Sequence, residues 1–462
     1  MKQVRITVAT IMMMLVAAGA LWASGSQEGA QSGGGSQTDS QTDSETESAD
    51  EGDRTEIQFW HAFSDQPRSN WIEERAAEFN EMQSDYTVVV ERKGSYRETL
   101  QAAVLAARQG DPPHAAQIFE IGSQLALDSG IFKPIGEIGN FETDDYIEPV
   151  LNYYTIDGEV NSIPFNSSSP ILYTNKDKMR AAGLDPNDPP ETFGEIIDAL
   201  EQARDAGVEG AKIGFPLHTW FFEQWVAEQG ATLVNNDNGR DGLATETRLE
   251  SPAVERVFEW VDELAEKDLY TYTGKLEDWG GSGAIFQEGR AMFHITSTSN
   301  VGSLSKATAD KFEMGTGRLP IPDDVERNGV VIGGASIWTL DGHPIEELEA
   351  TRDFVLYMTN TENMVSWHKL TGYYPVRYSS IEMLEEQGWF EDEPQQTVAF
   401  EQLTETTPNS ATAGALMGSF LDFRTTVEQA LQKVINGEDI GPAMSEAKEL
   451  ADDALQEYNA NL

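Results

Sequence analysis

Two hydrophobic periods alternate along the chain from Thr55 onward. "TEIQFWHAF" reads as a strand and runs into "SDQPRSNWIEERAAEFNEMQ", where Trp71, Ile72, Ala76, Phe79 and Met82 recur at helical spacing. "YTVVVERK" then reads as a buried strand. "SYRETLQAAVLAARQGD" predicts a helix opened by the capping box Ser95 to Glu98 and closed by Gly110 before Asp111-Pro112-Pro113. "HAAQIFEIG" is the next strand, and this β-α-β-α-β rhythm predicts a parallel open sheet with helices on both faces.

A second series follows "NSIPFNSSSPILYTNKDKM". One helix is predicted from Thr192, with Glu195 completing a capping box and Gly207 at its end, and another from Ser251 with Pro252 in its first position. Val254, Val257, Phe258, Val261, Leu264 and Ala265 form the apolar face of the latter. "AMFHITS" and "GVVIGGASIWTL" read as late strands, and helical spacing returns in "IEELEATRDFVLYMTN" and "FRTTVEQALQKVI". The pattern is that of an α/β protein with two lobes and a cleft at the carboxyl ends of their strands, where open α/β sheets bind ligands. The expected division places residues 55–166 plus 296–340 in the first lobe and 167–295 plus 341–462 in the second.

The N-terminal segment departs from both periods. Lys2 and Arg5 precede an apolar run from Ile6 to Trp22 that ends in small residues, the order of a secretory signal peptide over residues 1–23; a retained anchor is the alternative. Residues 24–54, rich in Gly, Ser, Asp and Glu, bury too little surface to offset ordering entropy and read as a disordered acidic tether.

Composition narrows the function. At 462 residues the chain exceeds what one core usually serves. A formal net charge of −48 argues against a nucleic-acid or anionic-lipid surface as partner, and makes any anion site a local exception. The absence of cysteine excludes disulfides, thiol catalysis and thiolate metal sites together. No nucleophile elbow, zinc-protease helix, phosphate-binding loop or dinucleotide fingerprint occurs, so no catalytic residue and no cofactor is expected. The six histidines have no metal-site spacing.

What remains is hydroxyls, glycines and isolated charges. Arg424 stands among apolar residues in "GSFLDFRTTVEQAL", as a functional cation or as an arginine paired with a neighbour such as Asp422. Gly333 and Gly334 interrupt a strand, which signals a bulge or a close backbone approach. Tyr373 follows a turn glycine, and Glu120 closes an apolar strand, where its carboxylate must face solvent or a polar cleft.

The ordered set "IQFWHAF", "KGSYRETL", "IFEIG", "PFNSSSPILYTNKD", "AGLDPNDPPETF", "IGGASIWTL" and "WHKLTGYYPV" resembles the glycerophosphate-binding branch of the family 1 extracellular solute-binding proteins of ABC uptake systems, from about Thr55 to the C-terminus. The resemblance implies a type II, maltose-binding-protein-like fold with an interlobe cleft and hinge, acting outside the cytoplasm as a monomer. It implies sn-glycerol 3-phosphate or a glycerophosphodiester as ligand and the transmembrane subunits of an ABC permease as partners. The ligand set that it implies is Tyr96, Glu120, Ser168, Thr296 or Ser297, Gly334, Tyr373 and Arg424, with Phe193 and Trp220 as an aromatic wall. Phe193 stands where the family usually has tryptophan. The same fold binding a neutral oligosaccharide on Trp220, Trp225 and other aromatics is a second reading, and a secreted glycosidase or phosphodiesterase a third. Replacing Arg424 is expected to weaken ligand binding with little effect on folding.

Overall fold

The computed structural model describes residues 54–462, so the expected leader and all but the last residue of the expected tether lie outside the described residues. No helix among the described residues is long and apolar enough to cross a membrane.

The first sheet runs in the order Tyr86–Arg92, Thr55–His61, Ala115–Phe119, Gly333–Leu340, Phe132–Lys133, with Ile163–Ser168 also paired to Gly333–Leu340. Its first three strands are parallel, as the β-α-β rhythm predicts. The returning strand Gly333–Leu340 is antiparallel to all its neighbours, because it arrives from the other lobe rather than through a crossover helix. The second sheet runs Met314–Gly317, Pro170–Asn175, Phe293–Ser297, Ile213–Gly214. Only Ser169 separates the strand Ile163–Ser168 of the first sheet from the strand Pro170–Asn175 of the second, so the serine run is where the chain changes lobe.

The helix signals hold at the ends the sequence marks. Ser95 and Glu98 form a complete capping box on Tyr96–Gln109, which stops at Gly110 in the left-handed region. Thr192 and Glu195 do the same for Phe193–Asp205, and Ser251 caps Pro252–Glu266. Trp71, Ile72 and Ala76 are buried as predicted on Gln66–Met82, whereas Met82 ends the helix 67 % exposed.

Strand alternation gives the first sheet two apolar faces. Ile57, Phe59, Ala115, Phe165 and Ile337 join a core completed by the helices Gln66–Met82, Glu148–Tyr154, Ile345–Met358 and Thr361–Thr371. At its centre Trp367 stacks on Phe165 at 4.9 Å and meets Trp71 at 4.8 Å. On the other face Trp60, Ile118, Phe119 and Trp338 lie in a core that continues into the second lobe, through Phe215, Trp225, Trp260 and the helices Phe420–Ile435 and Ile440–Asn459.

This packing corrects the expected lobe boundaries. Thr296 and the strand Met314–Gly317 belong to the second sheet, not to the first lobe. The helices Ile345–Met358 and Thr361–Thr371 cover the first sheet, not the second lobe, and the chain has rejoined the second-lobe core by Ala415 and Met417, ahead of Phe420–Ile435. An amphipathic stripe requires a helix to bury one face but does not name the sheet that receives it.

Trp367→Ala is expected to cost about 3–5 kcal/mol, because it empties the aromatic centre under the first sheet. Urea unfolding checks this, and a loss below about 1 kcal/mol would show that Trp367 does not anchor these helices there.

Candidate functional site

The candidate site is built where strands of the first sheet end against helices of the second lobe. The strand Ala115–Phe119 gives way to a tight turn that starts at Glu120, so this carboxylate points out of the sheet end toward the second lobe. There it meets Arg424, at the start of the second turn of the helix Phe420–Ile435. Arg424 Nη2 donates to Glu120 Oε1 at 2.8 Å. Its Nε and Nη2 also donate to Glu223 Oε1 at 2.6 Å and Oε2 at 2.9 Å, a bidentate pair with the helix Thr219–Glu228. Arg424 therefore pairs not with its neighbour Asp422 but with one carboxylate from each lobe, and all three side chains are buried. Burial by itself would lower the guanidinium's pKa, but Glu223 and Glu120 outweigh it and hold the group firmly charged. Burial pushes the Glu223 carboxyl up, against the pull of Arg424.

Two buried carboxylates around one arginine also revise the expectation that replacing Arg424 spares the fold. Its removal leaves both acids unpaired, a change that costs about 3–5 kcal/mol when a buried pair is broken.

The glycine pair explains how the backbone enters this centre. Gly334 lies at φ +117, a conformation that a side chain strains, and a Cβ there would collide with the Asn166 carbonyl. A register shift between Ala335 and Ser336 leaves Phe165 as the extra residue of a bulge on the facing strand. Both readings of the glycines thus hold: there is a bulge, and there is a close approach. The Gly334 N–H, freed from ladder geometry, donates to Glu120 Oε2 at 3.2 Å. Gly333 makes room for the Trp220 indole, whose Nε1 has no protein partner among the described residues.

A hydroxyl cluster adjoins the charged one. Tyr96, the first residue of its helix, stacks on Phe119 at 5.9 Å, and its hydroxyl accepts from Asn166 Nδ2 at 2.8 Å. Burial, and next the Tyr373 hydroxyl beside it, push the Tyr96 phenol well above its ordinary range, so it stays a donor. Tyr373 follows the left-handed Gly372, lies parallel to Trp367 at 5.9 Å, and has its carbonyl held by His368 Nδ1 at 2.8 Å. Ser168 ends its strand opposite Gly333. In the second lobe Thr296 and Ser297 face Ile171 and Pro170. Strand alternation turns their side chains to opposite faces: Thr296 Oγ1 accepts from Asn300 Nδ2 at 2.9 Å, while Ser297 Oγ accepts from the Ser299 N–H at 3.1 Å.

Not every expected residue arrives. Phe193 lies flat on Trp260 at 4.1 Å and edge-on to Trp225 within the second-lobe core, so it forms no cleft wall. The first turn of an amphipathic helix can face either way, and here core burial prevails. Trp225, only 1 % exposed and packed among Phe193, Phe215 and Trp260, offers no face for a sugar ring. Trp220 alone of the expected aromatics reaches the lobe junction.

Three further residues of this cluster are not among those the sequence singled out as ligand-binding. Glu223 is the carboxylate of the aromatic run "TWFFEQWV", and its signal was a charge in a helix otherwise too apolar to leave one unpaired. Asn166 joins the two clusters: its Oδ1 accepts from Gln117 at 2.7 Å, its Nδ2 serves Tyr96, and its carbonyl crowds Gly334. Glu428, one turn beyond Arg424, accepts from the Thr219 N–H at 2.9 Å.

Two groups of side chains place histidines beside carboxylates: His114, His343 and Glu347, and His218, Glu277 and Glu428. In each, one histidine spends its lone pair on the backbone. His114 Nδ1 accepts from the Gln58 N–H at 3.1 Å and His218 Nδ1 from the Trp220 N–H at 2.9 Å. The other ring nitrogen then carries the proton and has no lone pair for a metal. His114 uses it toward Glu347 Oε2 at 3.0 Å, tying a helix to the sheet edge.

Comparison with known proteins agrees with this architecture. The bacterial extracellular solute-binding protein family matches residues 74–401. The sn-glycerol-3-phosphate-binding periplasmic protein UgpB of Salmonella typhimurium is 30% identical over 394 residues, 83% of this chain and 88% of its own. UgpB of Yersinia pseudotuberculosis is equally similar over the same shares. Among solved structures, UgpB from Mycobacterium tuberculosis in complex with glycerophosphocholine superposes with a TM-score of 0.70 at 21% identity, over 87% of this chain and 98% of that one. The cyclic alpha-maltosyl-1,6-maltose binding protein from Arthrobacter globiformis does so at 0.73 and 20%, over 87% and 100%. The two-lobed α/β fold is thus shared with sugar-binding and glycerophosphate-binding proteins alike, and on the extent of the match this chain belongs to the bacterial extracellular solute-binding protein family.

Proposed function

We propose that the protein captures sn-glycerol 3-phosphate or a glycerophosphodiester between its lobes in the periplasm and delivers it unchanged to a membrane permease of an ABC system. The observation that carries this reading is the Glu120–Arg424–Glu223 cluster, contributed by both lobes, adjoining buried hydroxyls and held on the first lobe by the Gly334 N–H. Carboxylates and a guanidinium side by side suit a polyol, whose hydroxyls both donate and accept. The Tyr96, Tyr373 and Ser168 hydroxyls suit phosphate oxygens, which only accept. A ligand that contacts both lobes favours closure by its differential affinity for the closed form. The relatives named for sn-glycerol 3-phosphate support the same ligand class. The oligosaccharide alternative loses Trp225 as a stacking surface, since it lies in the core.

Isothermal titration with sn-glycerol 3-phosphate, glycerophosphocholine, inorganic phosphate and maltose tests the proposal. Binding of at least one glycerophosphate is expected, with inorganic phosphate much weaker. Binding of maltose alone would overturn it. Tyr373→Phe keeps the ring on Trp367 and deletes only the hydroxyl; a loss of about 1 kcal/mol in glycerophosphate affinity is expected, with the melting temperature unchanged.

Glu428 makes the site sensitive to pH. Burial, opposed by its Thr219 hydrogen bond, pushes its carboxyl from 4.5 up to about 7, and Glu277 adds to the rise. Below that value one negative charge near Arg424 disappears; His218, held neutral by burial and by Arg424, does not compensate. A raised carboxyl means the folded state holds a proton that the unfolded state releases. Stability associated with Glu428 is therefore highest below pH 4.5 and declines as pH rises through about 7. Relative to Glu428→Gln, the wild type is expected to lose up to about 3 kcal/mol across that window in urea unfolding. Glycerophosphocholine, whose charge is constant there, should bind the wild type better at the acid end, a trend that Glu428→Gln should abolish.

A further inference from the structure

The charges at the lobe junction do not favour an anion. Arg424 brings one positive charge and already gives its Nε and one Nη to carboxylates, while Glu120 and Glu223 bring two negative charges. A phosphate entering this centre meets an arginine whose charge is matched twice over. Neutralising it takes a second cation, and the hydroxyl cluster has one at its rim.

Arg68 lies in the first turn of the helix Gln66–Met82. Its guanidinium sits over the Tyr373 ring at 5.1 Å and over the Phe63 ring at 5.5 Å. Phe63 in turn packs against Tyr96 at 6.4 Å and Tyr373 at 6.3 Å, so the arginine adjoins the aromatic cluster that holds both tyrosines. The Tyr96 hydroxyl feels its positive charge. Its only acidic partner among the described residues is Asp65, at 3.5 Å, and that aspartate already caps the helix by accepting the Arg68 N–H at 3.2 Å. The Arg68 side chain is 26% exposed and its ion pair with Asp65 is long, at 3.5 Å. Lys93, another cation near these strands, is taken up by Glu91 at 2.6 Å and by the face of Trp60 at 3.7 Å, while Arg92 and Arg97 are exposed. An arginine stacked on aromatic rings keeps its in-plane N–H groups available, the geometry in which it binds phosphate oxygens in pairs.

We propose that Arg68 is the specificity-determining cation of the site, neutralising the ligand's phosphate across Tyr96 and Tyr373, while Arg424, balanced by Glu120 and Glu223, serves the polyol end. This rests on the glycerophosphate reading above and divides its ligand into two ends held by different arginines. It also ranks ligands: a dianionic monoester gains more from Arg68 than a monoanionic diester.

Arg68→Gln and Arg68→Lys, titrated with sn-glycerol 3-phosphate and glycerophosphocholine at low and high salt, test the assignment. Arg68→Gln is expected to weaken sn-glycerol 3-phosphate at least tenfold, to weaken glycerophosphocholine less, and to flatten the salt dependence of both. Arg68→Lys should recover most of the salt dependence and part of the affinity. The melting temperature should not change, because the side chain is partly exposed and its one ion pair is loose. Unaltered affinity and salt dependence in Arg68→Gln would overturn the assignment while leaving the glycerophosphate reading intact. Equal losses for both ligands with no change in salt dependence would also overturn it, as the mark of an arginine that only packs on Tyr373. A wild type that binds no glycerophosphate would overturn both.

Discussion

The ion-paired triad Glu120–Arg424–Glu223 is the interaction on which the rest of this structure depends. It is the point at which a strand end of the first lobe and two helices of the second share buried charge. Buried charges are tolerated only when paired and hydrogen-bonded, and each member here is spoken for by another. Gly334 completes the shell by giving its N–H to Glu120, which requires the positive φ and the bulge that opens the strand. The positive φ of Gly334 and the buried charge of the triad thus form one arrangement.

Around that centre the two lobes contribute different chemistry. The first supplies an aromatic platform, in which Phe63, Trp367 and Phe165 hold Tyr373 and Tyr96 in place with their hydroxyls together. The second supplies the arginine and its second acid from neighbouring helices, backed by a core in which Phe193, Trp225 and Trp260 are fully engaged. A ligand with a polyol end and an anionic end matches this division better than a uniform sugar. The serine run has a corresponding place. Ser168 closes a strand of one sheet, Ser169 bonds to Tyr374 and Gln402, and Pro170 opens a strand of the other sheet, so the hydroxyls stand where the chain crosses between lobes.

How much of this was legible follows from how local each signal is. Caps at Ser95, Thr192 and Ser251 and the stop at Gly110 are hydrogen bonds within four residues, and they appear where the sequence puts them. Glu120 was legible as a carboxylate that had to leave its sheet, and Arg424 as a cation in need of a partner. Their partnership was not, since 304 residues separate them and any of 79 acidic residues could have answered. Phe193 shows the opposite limit: an aromatic at a helix start reads the same whether it lines a cleft or stacks on Trp260.

By itself the sequence determined the alternation of strands and helices, their caps, the two-lobed class and the chemical types available for a site, because those depend on neighbours a few positions apart. Tertiary structure alone decided which lobe owns the helices after Leu340, which acids surround Arg424, and that Arg68 stands over Tyr373. The reason is that burial and charge pairing are settled by distances through space. In a chain that crosses repeatedly between two sheets, those distances have no counterpart in sequence separation.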